Sequence, residues 1–93
     1  MIKSFKSSEA EKLFHREISR RLPPDIQGTV IRKLWMIHAA GNINDLRLPP
    51  SNHLEPLKGD RKGQYSIRIN RQWRLCFKWF ESDAYEVEIT DYH

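Results

Sequence analysis

The hydrophobic pattern changes period once along the 93 residues, from helical spacing to strict alternation. Ahead of both, "MIKSF" reads as a short first strand. Ser8 opens "SEAEKLFHREISRRL", where Ser8 and Glu11 fit a capping box and acids fill the first turn. Ala10, Leu13, Phe14 and Ile18 make its apolar stripe, while Arg20 and Arg21 suit the C-terminal dipole. Pro23-Pro24-Asp25 breaks this helix and starts another. Ile26, Val30, Leu34, Ile37 and Ala40 then recur at helical spacing, with Gly41 as the natural cap. The pattern predicts a hairpin of two helices, each of about four turns, sharing one apolar face.

From Leu46 to Gly63, Pro and Gly punctuate the chain, and "HLEPL" (53–57) is the one short strand expected there, at an edge because of Pro56. Beyond it the period is two. "QYSIRIN", "WRLCFKWF" and "AYEVEIT" read as three strands joined by two short turns. The order is β-α-α-β-β-β with an extra short strand near 53–57. That is an α+β domain: two N-terminal helices packed on one face of a mostly antiparallel β-sheet.

Strand parity sorts the side chains. Tyr65, Ile67 and Ile69 point one way; Trp73, Leu75, Phe77 and Trp79 share a face, as do Tyr85, Val87 and Ile89. The opposite face carries Ser66, Arg68, Arg74, Cys76, Lys78, Glu86, Glu88 and Thr90. Continued alternation adds Tyr92 to this polar face, with Asp91 and His93 at its rim. A three-residue turn at Asn70-Arg71-Gln72 keeps both apolar faces together and pairs Ile69 with Trp73, Ile67 with Leu75 and Arg68 with Arg74. Two directly opposed arginines repel, so a sheet that keeps them is expected to hold an anion between them, unless both splay into solvent.

Composition narrows the class. The length suits a single domain, 1–93, with one modest core. Cys76 is the sole cysteine, which excludes an internal disulfide, and no Cys/His cluster suggests zinc. No apolar run reaches the roughly 20 residues of a membrane span, and the N-terminus lacks a leader-like apolar stretch. A reduced cytoplasmic setting is expected. Charge is uneven: between Asn52 and Phe80 seven Lys and Arg stand against two acids, a net of +5 where the whole chain carries +4. Such concentration points to a polyanionic partner, although a solvated basic surface has the same composition.

If the last strand pairs beside Trp73–Phe80, then Glu55, Lys58, Arg68, Arg74, Asp91, Tyr92 and His93 gather around one concavity. Those types suit RNA cleavage without a metal. A carboxylate or imidazole can take the 2′-hydroxyl proton, and an acid can protonate the departing 5′-oxygen. Arg and Lys can stabilise the developing phosphate charge, each donor contributing about 3 kcal/mol where water is excluded. Tyr can stack on an unpaired base. Each residue also has a structural reading: Lys58 as a loop lysine paired with Glu55, Tyr92 as the end of the core edge. His15, His38 and His53 read as structural or surface groups.

"MIKSF", "LEPLKGDRKGQYSIRINRQWRLCF" and "YEVEITDYH" resemble the HigB branch of the RelE/ParE toxin superfamily over essentially the whole chain. The resemblance implies the toxin of a type II toxin–antitoxin pair, cleaving mRNA in the ribosomal (70S) A site and neutralised by a HigA-like helix-turn-helix antitoxin. It implies no cofactor, no metal and no membrane, with operator DNA reached only through the antitoxin. Carried over by motif, the lysine of "PLKG" is Lys58, the arginine of "WR" is Arg74, and the terminal triad is Asp91, Tyr92 and His93. Arg68 lies where relatives also place arginine, and Arg61, Lys62, Arg71 and Lys78 complete the expected RNA-binding surface. One departure matters. Where the HigB form has histidine in "HPLKG", this chain has Glu55. The related YoeB branch also has glutamate before "PLK" and uses it as a general base, so Glu55, Asp91 and His93 compete for that role.

Two other functions fit the fold. A ParE-like inhibitor of DNA gyrase shares it, but lacks this acid/base set. A weakened toxin acting mainly as transcriptional co-repressor would leave growth unchanged when the antitoxin gene is removed.

Overall fold

The structure, a computed structural model, describes residues 1–91. Two helices, α1 (Ser8–Phe14) and α2 (Pro24–Ala39), pack on one face of a four-stranded antiparallel sheet. The strands are β1 (Glu55–Pro56), β2 (Gln64–Arg68), β3 (Trp73–Phe80) and β4 (Asp83–Asp91), neighbouring in chain order. Ile67, Leu75, Phe77, Ala84 and Val87 from the sheet meet Leu13, Ile26, Val30, Leu34 and Ile37 from the helices in one buried core.

The expected α+β arrangement is observed, including the edge strand at "HLEPL" and the three-residue turn. Ile67 stands opposite Leu75 and Arg68 opposite Arg74, while the Ile69 N–H donates to the Trp73 carbonyl at 2.9 Å. "MIKSF" is less than a strand: it runs parallel to β4 through two isolated bridges, Ile2 to Ala84 and Phe5 to Val87.

The first helix is shorter than its periodicity predicts. Its cap is Ser7, whose hydroxyl accepts from the Ala10 N–H at 3.2 Å, so the Ser8–Glu11 capping box is not formed. It ends at Phe14, because Arg16 turns left-handed (φ 62°) and Glu17 and Arg16 donate back to the Lys12 and Leu13 carbonyls. This paired closure is a Schellman end. The connection to α2 is tied down by polar contacts from afar: Ser19 bonds Glu9, and Gln27 of α2 donates to the Ser19 and Leu22 carbonyls. Ile18, expected on the apolar stripe, is consequently 83% exposed. The second helix follows its pattern, capped by Ala40 rather than Gly41.

A bulge in β4 supplies the remaining correction. Cys76 pairs with Glu88, but Lys78 pairs with Tyr85, so β4 holds one residue more than β3 across that step. Glu86 absorbs the excess at φ 51°. Tyr85 therefore sits on the polar face beside Lys78, and Ala84 takes the core position opposite Trp79. A period-two count cannot anticipate an inserted residue.

Candidate active site

The sheet face turned away from the helices is organised in cross-strand rows. One row runs Glu55, Ser66, Cys76, Glu88, and the next runs Arg68, Arg74, Thr90. Ser66 and Cys76 are fully buried, so the first row has a neutral floor between two carboxylates.

Arg74 is the best-held side chain on this face. Its Nε donates to Ser66 Oγ at 2.8 Å and its Nη2 to the His53 carbonyl at 2.7 Å. The same Nη2 lies 4.0 Å from Glu55 Oε1, and the Arg74 side chain is only 11% exposed. Anchoring at Ser66 and His53 fixes a guanidinium that would otherwise be repelled by Arg68 across the strand pair. Arg68 is satisfied differently, its Nε donating to the Asn70 carbonyl at 3.1 Å. Neither is splayed freely into solvent: each arginine is turned to a separate backbone carbonyl.

The other expected residues divide into two groups. Glu55 lies on the edge strand with its carboxylate mostly in solvent, and exposed Lys58 follows as the cap of a 3-10 turn, Gly59–Arg61. Asp91 closes β4 opposite Trp73 and accepts from Gln72 Nε2 at 3.2 Å. Glu55 thus borders the arginine row from β1, whereas Asp91 pairs with Trp73, one residue beyond the Arg74–Thr90 pair and of opposite parity to it. Arg71 stands in the β2–β3 turn and Lys62 just beyond the 3-10 turn, both exposed. Two bases are engaged by the protein itself. Arg61 Nη2 donates to Gln64 Oε1 (3.1 Å) and Glu88 Oε2 (3.0 Å), tying β2 to β4 across β3. Lys78 pairs with Glu86 at 2.8 Å, a contact that holds the Glu86 carboxyl below its usual range. Tyr92 and His93 lie outside the described residues.

Sequence reasoning missed three groups here. His53, which reads as a structural or surface residue, supplies the carbonyl that anchors Arg74 and adopts a left-handed φ of 44°. Ser66 falls on the polar face by parity, with nothing in the sequence to give it a task. Lys33 is buried at 4% exposure, its Nζ donating to Asn52 Oδ1 at 2.6 Å. The signal for Lys33 was available: it stands three residues after Val30 and four before Ile37, on the inward stripe of α2. His38, by contrast, is structural as expected, accepting the Ile2 N–H at Nδ1. Among the described residues, no three His, Cys, Asp or Glu side chains group as metal ligands would.

Chemically, the face offers a fixed guanidinium, a second one beside it, a lysine on the adjoining turn and the Glu55 carboxylate 4.0 Å from the first. That combination suits an anion with a proton to be moved.

Residues 3–93 match the family model described as the RelE-like toxin of type II toxin–antitoxin system HigB. The chain is 40% identical over 85 residues to toxin HigB-1 of Vibrio cholerae serotype O1, covering 90% of each. It is 36% identical over 93 residues, the whole of both chains, to endoribonuclease HigB of Proteus vulgaris. The fold is shared with a YafQ variant from E. coli (TM-score 0.69, 18% identity, 98% of this chain and 91% of that one). It is also shared with the YoeB–YefM complex from Staphylococcus aureus (TM-score 0.57, 20% identity, 100% and 98%). From motifs, fold and relatives together, this chain belongs to the HigB-like family of RelE-like toxins of type II toxin–antitoxin systems.

Proposed function

We propose that this toxin is an endoribonuclease that cleaves mRNA in the ribosomal A site. The observation that carries the reading is the Arg68–Arg74 row, with Arg74 locked by Ser66 and His53 and Glu55 4.0 Å from its guanidinium. The Proteus vulgaris relative is named an endoribonuclease, which supports the same chemistry.

In this reading Arg74, with Arg68 and Lys58, binds the scissile phosphate and the extra negative charge of its transition state. A base takes the 2′-hydroxyl proton, a bond forms between the 2′-oxygen and phosphorus, and the phosphorus–5′-oxygen bond breaks. An acid returns a proton to the 5′-oxygen, leaving a 2′,3′-cyclic phosphate and a 5′-hydroxyl. Glu55 is assigned the base, because its carboxylate already lies 4.0 Å from the phosphate-binding guanidinium. Asp91 and His93 are assigned to the leaving group, and Tyr92 to stacking on the nucleotide. Arg71 and Lys62, exposed on the adjoining turns, hold the RNA backbone; Arg61 and Lys78 contribute through Glu88 and Glu86.

As a type II toxin the chain has an antitoxin for a partner. We assign that antitoxin to the helix-turn-helix class and the site of action to the cytoplasm, where ribosomes are. No helix among the described residues is long and apolar enough to cross a membrane.

Arg74→Ala is the direct test. Induced in cells without antitoxin, the variant should lose growth inhibition and leave translated mRNA intact, while its circular dichroism stays native. Full toxicity of a folded Arg74→Ala protein overturns the assignment. Intact mRNA with wild-type toxin and an induced DNA-damage response supports a gyrase inhibitor instead.

A further inference from the structure

A second cationic site lies beside the arginine row, at the end of the sheet under α2. A cavity of about 390 Å³ opens there between α2, the 50–52 turn and the β2–β3 turn. Arg32, Lys33, Arg68 and Arg71 line it together with His53 and Asn70, and none of its lining residues is an acid. Among the described residues none of these four cations forms an ion pair. Lys33 is the most telling of them. Lysine is rarely buried without a compensating charge, yet this one is 4% exposed and donates only to the neutral Asn52, which leaves two N–H donors unassigned. Burial, followed by the nearby Arg32 and Arg68, holds its ammonium below the ordinary lysine range. Four bases converging on a concave site without a counter-charge form an anion receptor, not a balanced surface.

We propose that this cavity binds a phosphate of the RNA strand next to the scissile one, and so sets which phosphodiester reaches Arg74. The cavity and the candidate active site share two residues. Arg68 lines the cavity and stands opposite Arg74, and His53 lines it while its carbonyl anchors Arg74. A strand whose scissile phosphate rests on Arg74 therefore has its adjacent phosphate delivered to the Arg32–Lys33–Arg71 cluster. An RNA backbone, which carries phosphates at regular intervals, satisfies both sites with one molecule. The inference rests on the endoribonuclease reading for the identity of the strand, but the cavity's anion binding can be measured without catalysis.

The test uses the full chain and a 2′-O-methyl RNA hexamer, which cannot be cleaved, with binding read by fluorescence anisotropy from about 50 to 200 mM NaCl. Arg32→Gln/Arg71→Gln removes two exposed cations that hold no ion pair, so thermal unfolding should be unchanged. Its affinity should fall roughly tenfold, as for loss of a charge-assisted contact, and the log–log salt slope should become shallower by about 0.7 for one phosphate released. Unchanged affinity and slope overturn the proposal, as does a wild-type chain that fails to bind the hexamer at the lowest salt. If the double variant keeps hexamer binding but loses antitoxin, the cavity takes a protein carboxylate and the proposal is again overturned. Cleavage of mRNA by the wild-type chain in reconstituted translation is scored separately. Absent cleavage with variant-sensitive hexamer binding removes the enzyme reading and leaves the phosphate site standing.

Discussion

Asn52 is fully buried and does two jobs: it accepts from the Lys33 ammonium, and its Nδ2 donates to the Leu46 carbonyl at 3.1 Å and the Leu48 carbonyl at 3.3 Å. One side chain therefore holds the Pro-rich loop to α2 and keeps a buried charge hydrogen-bonded. Asn52→Ala should cost about 3 kcal/mol, because two carbonyls lose a donor and an ammonium is left buried without its acceptor. A urea unfolding midpoint reads this directly. An effect below about 0.5 kcal/mol, the range of ordinary surface changes, would show that water replaces the amide at no cost. Neither half of this pair stands out in the sequence as a functional residue. A lysine on an apolar stripe is visible there, but its acceptor is 19 residues away and joined to it only by the fold.

Among the elements, α1 shows why a good periodic pattern can overrun. Helical spacing from Ala10 to Ile18 is compatible with a longer helix. The chain instead replaces those turns with the Schellman closure at Arg16 and with the Ser19–Glu9 and Gln27 contacts. Left-handed backbone costs a side chain about 1–2 kcal/mol, so Arg16→Gly should stabilise the protein by about 1 kcal/mol. Differential scanning calorimetry should show this as a rise of roughly 5 °C in Tm for a domain of this size. A fall in Tm would mean that Arg16 contributes through its side chain rather than suffering at its backbone. The strands are far more legible than α1. Alternation in β2 and β3 is unbroken and an odd turn keeps both apolar faces inward, so the three-residue turn at 70–72 gives the observed Arg68–Arg74 pairing. The pattern fails only across the bulge at Glu86, where Tyr85 and Ala84 exchange faces.

Over the molecule as a whole, helices cover one sheet face and the other carries the proposed site, with both cationic clusters at the end of the sheet where β2 turns into β3. In sequence, residues 91–93 come after Ile89, the last residue of β4 that packs against the buried cluster. Deleting them should leave cooperative thermal unfolding with Tm close to wild type and abolish growth inhibition. Retained toxicity in a folded truncated protein would remove Asp91, Tyr92 and His93 from the proposed chemistry together. Loss of folding would instead assign the terminus to the sheet.

Local periodicity and ordered motifs were enough for the α+β class, the β2–β3 register, the basic half of the chain and the family. They also named Glu55, Lys58, Arg68, Arg74 and Asp91, whose residue types carry the proposed chemistry. Packing in three dimensions settled how those charges are held: Arg74 on Ser66 and His53, Arg61 on Glu88, Lys78 on Glu86. It alone brought Arg32 and Lys33 from α2 to Arg68 and Arg71 from the sheet around one cavity. Periodicity reports the environment of each residue along its own element. The partners of a charge come from other elements, and only the packed chain places them within reach.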